Sequence, residues 1–433
     1  MTDIVAGAAD YETVTPAAAG AAIAPVAAAE RIETLDFIRG LAVMGILWAN
    51  IVAFGQPASA YFKPASFLVP AGDPGGWLWI VQFVLIDGKM RGLFTLLFGA
   101  GMVLFMEKAW ARGGTRWLQA WRLVILACFG LIHFYFIWFG DILFGYAAYG
   151  LLALLCMKWR PKTQLGIGIA GYLLGCLFYA GTVVPWLILT TPFGESTPEL
   201  AEQRTALTQG IATELARDDI PSDAIASGDY AALTAHRLGE QGLEPFQNLL
   251  LFGFETLPLM LIGMALYRFG FFSGAFARAT MIRWGAAAFV LGALAHLAIG
   301  LVMQADGFSF YGTFAAFIGM SALPRLVMTV GLAALLVAWA PSATGWLGER
   351  VRAAGRAAFT NYLGTSIVMM FVFHGWALGL FGQLNRPKLY IVMVLAWIAM
   401  LVWSKPWLAR FNYGPLEWLW RCLTYRKVFP LRK

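Results

Sequence analysis

The sequence predicts an all-α, polytopic membrane protein, a bundle of about ten transmembrane helices, and three observations predict it. The chain is 60% hydrophobic and 13% charged, roughly half the charged share of an ordinary soluble domain. Its charges are bunched and leave apolar runs about 20 residues long, the length at which a helix crosses a bilayer. Lys and Arg gather on alternate connections between those runs, the asymmetry that fixes orientation in a membrane.

The runs lie near 37–56, 77–106, 117–138, 142–157, 164–190, 246–267, 284–304, 313–340, 357–380 and 388–404. The second is interrupted by DGKMRG (87–92) and the eighth by Pro324 and Arg325. Such breaks are tolerated in a membrane where protein shelters the backbone. One set of connections, with the tail from 405, carries 20 Lys and Arg against Glu107, Glu349 and Glu417. The opposite set carries Lys63, Arg204, Arg217, Arg237 and Arg386 among many acids. The basic set is expected in the cytoplasm, which with an even number of spans puts both termini inside.

Three segments lie outside this pattern. Residues 1–30, Ala-rich and without periodicity, are expected to be a disordered cytoplasmic tail; they lack the basic start of a cleavable signal. The bundle then runs over 31–404. Residues 191–245 carry ten acids against three arginines and read as a plain outer connection with helical stretches. Residues 405–433 alternate aromatic and basic residues, the composition of a helix lying on the inner leaflet.

The net charge of +7 is accounted for by the side bias, so it implies no nucleic acid. Cys128, Cys156, Cys176 and Cys422 have no CxxC spacing, lie in or beside apolar runs, and imply no disulfide and no metal. No Walker A, dinucleotide fingerprint, HExxH or GxSxG stands in a suitable setting, which argues against ATPase, Rossmann and soluble hydrolase chemistry.

An ionisable residue within a span is expensive and therefore a candidate site. Asp36 and Arg39, three apart on one helix face, stand at the cytoplasmic mouth of the first run, and Asn50 returns to nearly that face about 16 Å further along. Asp87, Lys89 and Arg91 fall inside the second run, where Asp87 and Arg91, four apart, are expected to pair. His133 and Asp141 bracket the hairpin between the third and fourth runs and are expected to share an outward vestibule. A histidine titrating near neutrality is the natural base for activating a hydroxyl or amine. His296, alone in an apolar run, reads as a core histidine bonded to a carbonyl; His374, mid-run beside a glycine, is a further candidate.

LDFIRGLAVMGILWANIVAFGQP (35–57), GKMRGLFTLLFGAGM (88–102), GLIHFYFIWFGDILFGYAAYGLL (130–152), GRAAFTNYLGTS (355–366) and GPLEWLWR (414–421) resemble, in order, the signatures of the YeiB-like family. These are bacterial inner-membrane proteins built on a domain of unknown function, and the likeness adds Asn361 to the substrate-binding candidates. More distantly, TLDFIRGLAVMGILWAN (34–50) is similar to the first helix of the transmembrane acyltransferases that include heparan-glucosaminide acetyltransferase. That likeness implies a cytosolic acyl-CoA as co-substrate, no resident cofactor, and a glycan, lipid or small acceptor at the far face. It also puts Asp36 and Arg39 at the donor mouth and Asn50 deeper in the cavity. The outer-loop motif that holds the acetyltransferase's catalytic histidine resembles YFKPASF (61–67), where this chain has Pro64. Proline accepts no proton, so His133 with Asp141 is the expected base, with Asp87 and Lys89 at the cavity floor. The alternative is a small-solute transporter or channel lined by Asp87, Lys89, Arg91 and His133. The expected partners are the bilayer and the substrate; a homodimer is left open.

Overall fold

The computed structural model describes residues 32–433; the expected tail at 1–30 lies outside them. The chain is built from α1 (Glu33–Gly55), α2 (Trp77–Leu85), α3 (Lys89–Trp110), α4 (Arg116–Ile132), α5 (Leu143–Ala153) and α6 (Pro161–Leu189). It continues through α7 (Pro198–Ala216), α8 (Asp219–Ser227), α9 (Tyr230–Leu238), α10 (Glu244–Arg268), α11 (Arg278–Ala305), α12 (Phe310–Ala315) and α13 (Ala322–Trp339). It ends with α14 (Trp346–Arg356), α15 (Ala358–Phe373), α16 (Arg386–Arg410) and α17 (Pro415–Tyr425). Among the described residues no sheet forms beyond a single bridge of Phe411 to Arg432.

Eight helical stretches among the described residues are long and apolar enough to cross a membrane, and three shorter apolar helices accompany them. The protein is a polytopic helical membrane bundle. α6, α11 and α16 leave Leu174, Leu177, Leu291, Leu294, Leu395 and Ile398 exposed. In water such a surface would be costly; here it is the face that meets lipid. Inside, α1 packs on α3, α14 and α15, α3 on α10, and α10 on α6.

Both expected interruptions are present, with changed detail. The second run breaks between α2 and α3 at Gly88, whose φ of 73° favours glycine. The eighth breaks ahead of Pro324 rather than at it, through a π-helical turn over Ala316–Met320. Pro324 then falls in the first turn of α13, where its missing N–H costs no helix bond.

The segment 191–245 is more than a solvated connection. It folds into α7–α9 and is tied to the bundle by four backbone anchors. Ser59 N donates to Asp218 Oδ2 (2.7 Å) and Tyr311 Oη to Leu207 O (2.6 Å). Tyr230 Oη donates to Phe136 O (2.6 Å) and Tyr135 Oη to Gly242 O (2.6 Å). In the tail, α16 runs on through residue 405 to Arg410, and α17 packs on α4 and α15.

Candidate functional site

Two cavities meet at one side chain. The larger, about 340 Å3, opens at the basic end of the bundle and is walled by α1, α3, α4, α5, α14, α15 and α17. Its mouth carries Asp36, Arg39, Lys108, Arg122, Arg356 and Glu417, and its depth is apolar, with Phe94, Leu97, Phe98, Leu123 and Leu126. A basic rim over an apolar shaft suits a ligand with an anionic head and a narrow apolar arm. Arg39 Nη1 bonds Asp36 Oδ1 at 2.9 Å, which holds the guanidinium at the mouth. The Arg122 guanidinium is sandwiched 4.1 Å from the Trp420 ring and 4.5 Å from that of Phe105. Gln119, buried on the same wall, has an Oε1 with no hydrogen-bond partner.

The inner end of this cavity is Tyr362, which also lines a second, smaller void with Asn50, Trp138, Thr365 and Ser366. The Tyr362 ring lies edge-on to His133, centroids 5.2 Å apart. His133 opens a π-helical turn, His133–Ile137, at the end of α4. Such turns widen the helix and are frequent at functional sites. Asp141 follows in the irregular hairpin: its Oδ2 accepts from Phe144 N (2.8 Å), capping α5, and its Oδ1 stands 2.9 Å from His133 Nδ1. Gly130 lets α4 approach this closely, since a Cβ there would come within 2.8 Å of Asp141 Oδ2.

A carboxylate only accepts hydrogen bonds, so the tautomer that pairs His133 with Asp141 as a carboxylate is the one with the proton on Nδ1 and Nε2 as acceptor. Nε2 meets the Ser366 Oγ of α15 at 2.9 Å. The result is a buried Ser–His–Asp relay. His133 and Asp141 thus come together as expected, but with side chains 0% and 3% exposed, in a turn packed against α9, rather than in an open vestibule. Ser366, Lys108, Arg122 and Arg356 were missed in the sequence. The three cations passed as side bias, and a serine in an apolar run gives no local sign of a partner 233 residues away.

Asp36 and Arg39 line the larger cavity, and Asn50 lines the smaller void instead. The other candidates do not border either cavity. Asp87 accepts from Tyr61 Oη (3.1 Å) and Gln82 Nε2 (3.2 Å), and Lys89 Nζ donates to Phe83 O (2.5 Å). Arg91 pairs with Glu255 (2.7 Å) instead of Asp87, and Arg325 reaches the same Glu255 oxygen (2.9 Å). The break at Gly88 is what turns Asp87 out of register with Arg91. Asn361 is a brace: its Nδ2 donates to Ala354 O (2.9 Å) and Ser404 Oγ (3.2 Å), and its Oδ1 accepts from Trp403 (2.8 Å). His374 lies at the C-terminal end of α15 rather than mid-span, its Nδ1 accepting from Trp376 Nε1 (3.2 Å). His296 bonds the Gly292 carbonyl (2.7 Å), as a core histidine should. Among the described residues no His, Cys, Asp and Glu cluster could hold a metal ion.

Comparison with known proteins gives a family without an activity. Residues 266–427 match the model of a protein family of unknown function, DUF418. The uncharacterized protein YeiB of Escherichia coli K12 is 32% identical over 417 residues, 93% of this chain and 98% of its own. The uncharacterized protein YxaH of Bacillus subtilis 168 is 28% identical over 424 residues, 94% of this chain and 98% of its own. No solved structure matches.

Proposed function

The chain belongs to the DUF418 family of unknown function, and from its site we propose that it is an acyltransferase of the bacterial inner membrane. Its co-substrate is an acyl-CoA taken from the basic, cytoplasmic end, and both termini lie on that side. The acyl group passes to a hydroxyl or amine of a glycan, lipid or small polar acceptor at the outer face. The single observation that carries this reading is the course of the larger cavity, from Arg39 and Arg122 at a basic mouth to Tyr362, against His133.

The roles follow from the positions. Arg39, Lys108, Arg122 and Arg356 take the phosphates, which arginine binds well in fixed geometry, while the apolar shaft takes the pantetheine arm and the acyl chain. Asp141 keeps His133 in the tautomer whose Nε2 accepts a proton. In the transfer an oxygen–carbonyl bond forms as His133 removes the hydroxyl proton; the carbon–sulfur bond breaks, and the thiolate takes that proton. The void beyond Tyr362, about 10 Å3, has room for little more than one water, so Tyr362 is the gate between donor arm and base. A solute path is the weaker reading, because Asp87, Lys89 and Arg91 are bonded into a network apart from the cavity.

The test is calorimetric binding of acyl-CoA to the detergent-solubilised protein, wild type against Arg39→Ala and His133→Ala. Binding that is lost in Arg39→Ala and kept in His133→Ala supports the reading. No binding to the folded wild type at millimolar acyl-CoA overturns it.

A further inference from the structure

We propose that Ser366 is a nucleophile that carries the acyl group covalently, so that transfer proceeds through an acyl-serine intermediate; the inference rests on the donor reading above. Its ground is the state of the Ser366 hydroxyl. A serine or threonine inside a helix ordinarily satisfies its hydroxyl on the carbonyl four residues back. Thr365 does so at 2.6 Å on Asn361 O and Ser404 at 2.7 Å on Met400 O. Ser366 stands 3.4 Å from Tyr362 O but 2.9 Å from His133 Nε2. Its proton is therefore directed to a histidine whose other nitrogen is held by a carboxylate, the geometry that activates a hydroxyl.

A second, independent feature fits the intermediate that this attack would form. Trp138, 6% exposed, lines the small void with Ser366, and its indole N–H has no hydrogen-bond partner. A buried donor left unpaired is costly and invites a ligand acceptor. Asn50 lines the same void and carries an amide donor. Together they supply two neutral donors where the thioester oxygen becomes an oxyanion, the commonest means of stabilising acyl transfer.

The steps balance. Ser366 Oγ bonds the thioester carbonyl carbon as its proton passes to His133 Nε2. The carbon–sulfur bond breaks, and the thiolate leaves with that proton as CoA thiol. An acceptor hydroxyl then gives its proton to Nε2 and bonds the acyl carbon. The Ser366 oxygen leaves and takes the proton back. His133 and Asp141 thus serve both halves, and donor and acceptor need never occupy the site together. This separation suits a cavity that opens at one end and a cap at the other.

The experiment incubates the purified full chain with acetyl-CoA, and separately octanoyl-CoA, without acceptor. It reads bound acyl-CoA by calorimetry, released thiol, and adducts on tryptic peptides by mass spectrometry. The expected result is one acyl adduct on Ser366, with one thiol released per protein. Ser366→Ala should bind acyl-CoA and form no adduct. Ser366→Cys should form an adduct cleaved by neutral hydroxylamine, which reports an intact site where the alanine variant misfolds. Trp138→Phe, which keeps the ring and removes the donor, should slow thiol release about 100-fold. Wild type that binds acyl-CoA without an adduct, or Ser366→Ala that still becomes labelled, overturns the covalent serine and leaves the donor reading standing. Absence of acyl-CoA binding overturns both.

Discussion

His133 Nε2 and Ser366 Oγ stand 2.9 Å apart across 233 residues of chain. The contact joins the π-helical end of α4 to the middle of α15, and it brings the hairpin aspartate, the histidine and the serine into one line. Each of the two helices also supplies wall to the large cavity, α4 through Gln119, Arg122, Leu123 and Leu126, and α15 through Phe359 and Tyr362. The relay and the cavity therefore share these two helices, and the relay forms at the interface where α15 packs on the π-helical turn. A change that disturbs the chemistry can be told from one that disturbs donor binding by where it falls along these helices.

Asp141→Asn separates orientation from binding. The amide presents a donor to Nδ1 and favours the wrong tautomer, so turnover should fall by about 10^3–10^4-fold. The cavity walls are untouched, so acyl-CoA affinity should stay within about twofold. Thiol release and calorimetry on the same preparation check both. Equal losses in both would show that Asp141 serves only to hold the α4–α5 hairpin.

Arg122→Gln acts at the other end. It removes the guanidinium from between Trp420 and Phe105 and takes a charge from the mouth. A charge-assisted contact to phosphate contributes about 1.5–3 kcal/mol, so acyl-CoA affinity should fall at least tenfold. The loss should shrink at high ionic strength, because contacts at an open mouth are screened. Titrations at two salt concentrations give the result, and an affinity unchanged by the substitution would remove Arg122 from the donor site.

The apolar runs made the bundle legible because membrane burial writes itself into composition. The same holds for Asp36, Arg39 and Asn50, which share a helix face by local spacing alone. The His133–Asp141 pair was also readable, since eight residues and a hairpin suffice to bring them together. What was hidden depended on distant partners. Arg91 was expected to turn to Asp87 by helical spacing, but Gly88 breaks the helix between them and Glu255 of α10 takes the charge. Asn361, a candidate by family likeness, could not be read as a brace because its partners Ser404 and Trp403 come from α16. Ser366 closes the 355–366 signature but carried no local sign of a partner 233 residues away.

The Glu255 junction should be a stability element. One carboxylate oxygen holds both Arg91 and Arg325, and Arg325 also donates to Ser321 Oγ (2.8 Å) and the Phe317 carbonyl. Glu255→Gln leaves the buried Arg325 and the half-buried Arg91 sharing a neutral amide. Removing one member of a buried ionic set costs about 3–5 kcal/mol. Thermal unfolding in detergent should show a lower midpoint, with acyl-CoA affinity retained in the folded fraction, because the junction does not border the cavity. Unchanged unfolding would mean that water or lipid already neutralises the pair.

Glu417 ties the tail helix to the site and should make stability depend on pH. From α17 it accepts Phe359 N (2.7 Å), Thr360 N (3.0 Å) and Thr360 Oγ1 (2.5 Å), capping the start of α15 from outside that helix. Loss of a cap of this kind costs about 1 kcal/mol. Burial pushes the Glu417 carboxyl above its ordinary range, and the hydrogen bonds from Thr360 and Phe359 offset only part of that. The folded chain therefore holds the proton more tightly than the unfolded chain. This contribution is complete below the ordinary carboxylate pKa and is lost as pH rises through the raised folded value. Glu417→Gln has no such proton to lose. The unfolding midpoint of wild type minus that of Glu417→Gln should fall steadily as pH rises across that window. A difference that instead grows with pH would mean that the capping hydrogen bonds outweigh burial, and that Glu417 is held as a carboxylate at the cavity mouth.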